Sequence, residues 1–248
     1  DGKIQATMGN RGVTFYEGET WLLDGPEPVK LPFPVKSSIQ ALVDDQLVFT
    51  TETDWNGFTV GDLLAYDLSE LKANPQTAKP YLILRPNERE AIEGVTSTRN
   101  RLVVALYENV KGAVYVYDHN DGTWTRTKLA LPEASTIGLG SSSDLTDQIF
   151  ITVSNYVTPN SLWLADAATG KVEKLKSIPE RFDATKLTVD QHEATSAELP
   201  PEEKDAISHR GEALRRIAPV VAGALFFPFM FFAPIIGMVP PQATAPAL

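Results

Sequence analysis

Proton transfer near neutral pH usually falls to histidine, and this chain has three: His119, His192 and His209. His119 stands in a His-Asn-Asp-Gly run that reads as a solvated turn, and no nucleophile is indicated beside it. His192 falls in a stretch expected to pair as a strand, which gives it a structural role. His209 lies among charged residues and is expected to be exposed. No two of them share the His-x-x-x-His spacing that presents paired zinc ligands on a helix. Cysteine is absent, which excludes thiolate nucleophiles, thiolate metal sites and disulfides. The Gly-x-Ser-x-Gly elbow of serine hydrolases is also absent. Its nearest approach, Gly138-Leu139-Gly140-Ser141-Ser142, puts glycine where the serine must stand.

Other polar groupings have plain structural explanations. Ser141, Ser142, Ser143 and Asp144 follow two glycines in the manner of a phosphate loop, but no Lys-Ser/Thr follows and Asp144 would repel a phosphate. A strand-to-strand turn explains them. Asp44 and Asp45 read as a hairpin turn. Asp54, Trp55, Asn56 and Gly57 form either a turn, the default, or a loop lining a tunnel or contacting substrate. Asp118, Asn120 and Asp121 lack the flanking helices and the twelfth-position Glu of a calcium loop. No catalytic, cofactor-binding or metal-ligating residue is therefore assigned, and no cofactor is expected.

The elements that would position any chemistry are short strands. The chain has 248 residues, 43% hydrophobic and 22% charged, which is a globular balance. Its net charge of −10 argues against a nucleic-acid partner, since phosphate contacts need a positive face. The chain starts at Asp1, and its first 30 residues hold no apolar core of a signal peptide. Either a leader was removed, or the chain is a piece of something longer.

Three β-type runs recur: 46–52 (QLVFTTE), 101–108 (RLVVALYE) and 148–154 (QIFITVS), with starts 55 and 47 residues apart. A second set follows at 62–68, 113–119 and 161–167, spaced 51 and 48. Each of these reaches Asp67, Asp118 or Asp166, a residue type that starts turns. Runs at 39–43, 92–97 and 136–141 open the units, and runs at 81–85, 123–129 and 172–176 close them. Each unit thus reads as four short strands over about 50 residues. A lone four-stranded sheet leaves one face bare, whereas stacking and radial closure bury both, so the period predicts a β-propeller, with a β-sandwich as the alternative. Stretches 12–16, 21–23 and 29–31 look like the last strands of an earlier blade. Three and a half blades cannot close a ring, so the propeller is expected to be truncated at its N-terminal side, with sticky open edges.

Residues 148–195 resemble the last blade and exit segment of the propeller of the prolyl oligopeptidase family. The resemblance rests on the strand at 149–156, the Thr158-Pro159 turn, the strand at 161–166, the Thr169-Gly170-Lys171 turn and Phe182-Asp183-Ala184. The strand at 187–196 resembles the start of the family's α/β-hydrolase domain. Asp54-Trp55 with 61–67, then 84–89 and 102–110, also fit, so the likeness covers residues 1–197. It implies a propeller that caps a Ser-Asp-His hydrolase and admits short peptides, many cut after proline. After Ser196 the family pattern stops at Ala197-Glu198-Leu199-Pro200-Pro201. The expected organisation is residues 1–186 as a partial propeller, 187–197 as the start of a truncated hydrolase domain, and 198–248 as an unrelated tail. The fold class is all-β, followed by a mostly helical apolar tail. This chain alone is expected to be inactive, its partners being the missing hydrolase domain and, through the parent enzyme, short peptides. The rival reading is a non-enzymatic peptide- or protein-binding propeller, membrane-tethered through 217–239 if that segment is native.

Residues 217–239 carry no charge and are long enough to span a bilayer, with Arg210, Arg215 and Arg216 just before them. Pro219, Pro228 and Pro234 interrupt that run. Three origins compete: a membrane anchor, a frameshift or assembly product, and a soluble partner-binding tail. Residues 198–216 read as a mostly charged helix. The family is cytoplasmic or periplasmic, and a native tail would add membrane contact.

Overall fold

The computed structural model describes residues 4–187 and Val189. The chain divides into two units, Asp1–Val189 and Asp190–Leu248, and the architecture below is that of the first. Strands β1 (Met8–Gly12), β2 (Gly18–Leu22) and β3 (Val29–Lys30) form a three-stranded antiparallel sheet. The second sheet holds β4 (Ser37–Val43), β5 (Gln46–Thr51), β6 (Leu63–Asp67) and, after helix α1 (Leu68–Ala73), β7 (Tyr81–Leu84). The third holds β8 (Glu90–Ser97), β9 (Leu102–Glu108), β10 (Lys111–Asn120) and β11 (Thr123–Lys128). The fourth holds β12 (Thr136–Ser142), β13 (Gln148–Ser154), β14 (Ser161–Asp166) and β15 (Val172–Ser177). Within every sheet the strands lie in chain order, so each is a meander built from local hairpins.

Hydrophobic alternation stacks the sheets. In β5, Leu47 and Phe49 face the first sheet, and with Leu64 and Tyr66 of β6 they cluster with Leu22, Leu31 and Phe33. Val48 points the other way, into a core with Leu63, Val104, Leu106 and Tyr117. A third core, around Val103, Ala105, Val116, Ile149 and Ile151, joins the last two sheets. Strands β5, β6 and β9 therefore bury both faces and read as near-continuous apolar runs, whereas β13 in the last sheet alternates buried and exposed residues. The first strands β4, β8 and β12 approach one another, while the last strands lie apart. The sheets fan outward from that inner line, as propeller blades do.

Turn chemistry fixes the hairpins. Asp44 and Asp45 adopt φ of 48° and 58°, the paired left-handed geometry of a two-residue hairpin. Asp121 and Gly122 do the same at 47° and 76°. Asp67 caps α1, its carboxylate accepting from the Glu70 amide.

Several expectations need correction. The strand placed at 12–16 lies at Met8–Gly12, and residues 13–16 form the hairpin loop, where the Val13 amide donates to the Glu17 carbonyl. Phe15 and Tyr16 suggested a strand, but they stand exposed at that loop. Asp118 starts no turn: it pairs with Thr125 inside the ladder and bridges to Arg101 at 3.0 Å. The turn comes three residues later, where glycine tolerates the left-handed geometry. Helix α1 was not expected from the sequence. The helical character expected for 198–248, and the pairing expected for 188–196 apart from Val189, lie outside the described residues.

Candidate functional site

Antiparallel alternation sorts the connections onto two faces. The upper face carries residues 13–17, 31–36, 52–62, 85–89, 109–110, 129–135 and 155–160, and the exit at 178–187. The lower face carries 23–28, 44–45, 68–80, 98–101, 121–122, 143–147 and 167–171. Contacts across the sheet joints support this sorting. On the upper side, the Gly112 amide donates to the Ser135 carbonyl at 2.8 Å.

On the lower side each joint is crossed by a carboxylate. Lys72 reaches Asp24 at 2.8 Å between the first two sheets. The imidazole of His119 meets Asp44 at 2.7 Å between the second and third. Asp147 accepts from the Thr98 hydroxyl and the Asn100 amide, each at 2.9 Å, between the third and fourth. His119 is thus not the solvated turn residue its sequence suggested. It is the penultimate residue of β10, its side chain is 10% exposed, and it packs on Trp124 at 4.8 Å. Only the long-range approach of the β4–β5 hairpin makes it a joint residue.

The remaining candidates resolve as turns. Trp55 and Phe58 bridge across Asn56 and Gly57, which adopt φ of 49° and 85°. Asp54 accepts from the Val60 amide at 3.1 Å and so closes the same loop. Ser143 accepts from the Leu145 amide in the turn after β12. Asp118, Asn120 and Asp121 form no metal cluster, and none occurs among the described residues. His192 and His209 lie outside those residues. No nucleophile–base pair is therefore assembled in the described part.

What the structure does assemble is a surface. Phe15, Tyr16, Val60, Val110, Tyr156 and Phe182 all project from the upper face, and Phe15 and Tyr156 are 91% and 88% exposed. The lower face offers Leu23 and Leu145. Val110 is also strained, with φ of 61°, a region costly for a β-branched residue. Between the second and third sheets the upper face opens into a cleft of about 470 Å³ lined by Gln40, Glu52, Glu90 and Glu93. Sequence reasoning missed this apolar face because the residues come one or two from each unit, each an ordinary loop residue on its own.

Sheets of this order, fanned from converging first strands, define a β-propeller domain. The family model for the prolyl oligopeptidase N-terminal β-propeller domain matches residues 17–178. The chain belongs to the prolyl oligopeptidase family through that domain. An uncharacterised peptidase of Sinorhizobium fredii is 37% identical over 205 residues, which is 79% of this chain and 28% of that protein. The structure of a post-proline cleaving enzyme from Rickettsia typhi superposes with a TM-score of 0.65 at 21% identity, covering 77% of this chain and 29% of that one. The chain thus spans under three tenths of the length of these relatives. A second family model, the Ham1 family, matches residues 147–220. A dITP/XTP pyrophosphatase of Corynebacterium diphtheriae is 62% identical over 29 residues, 12% of this chain and 14% of that enzyme. The Ham1 match overlaps the last sheet and reaches into 198–220, part of the segment expected to be an unrelated tail.

Proposed function

We propose that this propeller caps the catalytic domain of a serine-type oligopeptidase and restricts access to short, proline-containing peptides. The observation that carries the reading is the upper face. Four sheets contribute exposed apolar residues to it, and Val110 holds its side chain outward at a conformational cost. The β9–β10 hairpin demands the left-handed pair at Asn109 and Val110, and a valine rather than a glycine in that turn costs stability while adding an exposed apolar side chain. The chain leaves the last sheet on the same face, through residues 178–187. A domain that follows this exit would meet the apolar residues directly. The Rickettsia typhi relative is a post-proline cleaving enzyme, which supports peptides as the substrate class. No Gly-x-Ser-x-Gly stands in the 248 residues, so the nucleophile would come from outside them and the chain alone would not hydrolyse peptides.

Two measurements test this. The purified chain should not turn over a Gly-Pro-linked chromogenic peptide; turnover blocked by a fluorophosphonate would contradict the inactivity. Mixed with the Sinorhizobium fredii peptidase lacking its own propeller, the chain should form a one-to-one complex by light scattering. The double substitution Val110→Asp, Tyr156→Asp should abolish that complex. A folded partner that ignores the wild-type chain would sink the capping role. The membrane contact expected of 217–239 lies outside the described residues.

A further inference from the structure

The three converging strands share an irregularity. Strand β4 slips register between Ile39 and Ala41, which leaves Gln40 as the extra residue. Strand β8 slips between Ile92 and Gly94, leaving Glu93. Strand β12 slips between Leu139 and Ser142, leaving Gly140 and Ser141. The extra residue is the fourth of β4 and of β8, and the pair is the fifth and sixth of β12. A bulge frees a side chain from the ladder and re-aims it, and bulges concentrate beside functional openings. Only the innermost strand pair slips in all three sheets: the middle pairs β5–β6, β9–β10 and β13–β14 bond in register throughout, and the outer pair slips in two sheets of the three.

We propose that Gln40, Glu93 and Ser141 form a polar collar at the inner line of the propeller that selects extended peptide segments carrying a cationic group. The inference rests on the capping reading above and names the substrate feature that the cap admits. Charge gives the direction. The three inner strands, SSIQALV, EAIEGVTS and TIGLGSS, contain no Lys or Arg, and Glu93 is the one charged residue of the collar. Gln40 is braced, its amide donating to the Thr50 hydroxyl at 3.0 Å. Glu93 is exposed, so its carboxylate is open to a ligand. The adjoining cleft of about 470 Å³, which both side chains line, has the volume of a small-ligand site. A peptide lysine, arginine or free α-amino group would gain there by charge complementarity, and an acidic peptide would be turned away.

The test uses the full 248-residue chain and two fluorescein-labelled, proline-containing dodecapeptides, one with two lysines and one with two glutamates. At low ionic strength, anisotropy should show the lysine peptide binding at least about fivefold more tightly. Glu93→Lys should erase or invert that preference. Glu173→Lys, which makes the same charge change on outer strand β15, should leave it intact. Circular dichroism confirms the fold of each variant, and Gln40→Lys replaces Glu93→Lys if the latter fails to fold. Equal affinity for the two peptides, binding of neither, or equal effects of the two lysine substitutions overturns the collar. Each of these results leaves the capping role standing, because light scattering reads that complex without peptide.

Discussion

The fully buried carboxylate of Asp62 is gripped by both ends of one guanidinium: Arg85 donates from Nη2 at 2.6 Å and from Nε at 2.9 Å. The Thr59 amide adds a third bond at 2.9 Å. Together they pin the long loop after β5 to the end of β7, and so hold Val60 on the upper face. A buried carboxylate stripped of its partner is costly, and the half-exposed Arg85 leaves water a route to it, so Arg85→Ala should lower the unfolding midpoint without abolishing the fold. Arg85→Lys should recover only part, because an ammonium cannot address both oxygens. Urea unfolding midpoints check both. A loss below the error of the method would show that water replaces the guanidinium.

Acid should weaken the fold through the same kind of group. Burial pushes the Asp62 carboxyl up, but the Arg85 hydrogen bonds and charge and the Thr59 amide outweigh it and hold it below the usual range. At Asp147 burial is likewise outweighed, by Asn100, Thr98 and the Arg101 charge. A carboxyl depressed in the folded state contributes stability above its unfolded value, about 3.9 for Asp, and loses it as pH falls through the folded value. Stability should therefore be level from about pH 7 to 5 and fall below about pH 4. Asp147→Asn should flatten that fall. Chemical denaturation at stepped pH measures it, and an unchanged slope in the variant counts against the assignment.

Gly112 is a packing test of the joint between the third and fourth sheets. A Cβ built there would lie 2.6 Å from the Ser135 carbonyl oxygen and 2.9 Å from Ile137 Cγ1. The obstacle is backbone, and it cannot swing away. Gly112→Ala should cost about 1–3 kcal/mol, as overpacking does. Thermal unfolding reads the shift; an alanine variant as stable as wild type would mean the joint is looser than described.

Val110 should separate stability from docking. Relieving its left-handed backbone with Val110→Gly should raise stability or leave it level, since about 1–2 kcal/mol of strain is released against a gain in unfolded-state entropy. The same substitution should weaken the complex with a catalytic domain. A variant that loses both stability and binding would place Val110 in the fold rather than at an interface.

The blades were legible because their signal is local. Runs such as QLVFTT and LVVALYE alternate faces within a few residues, and Asp44-Asp45 and Asp121-Gly122 write their own turns. At Phe15-Tyr16 and at His119 composition matched a pattern that hydrogen bonding overrode, locally in the first case and from distant chain in the second. Phe15 and Tyr16 have β-forming side chains, yet a Glu17 carbonyl closes the loop around them. His119 looks like a turn residue, yet a hairpin 75 residues away buries it.

From the sequence alone came the repeat of about 50 residues, the strand order within each unit, the all-β class and the family resemblance, because hydrophobic period and turn residues act within one unit. The tertiary structure alone decided which residues meet across units. It set a carboxylate at each lower joint, gathered Phe15, Val110 and Tyr156 on one face, and packed the bulged strands β4 and β12 each against β8. Those relationships arise from stacking sheets whose members lie about 50 residues apart in sequence, where no short pattern can record which neighbours will touch.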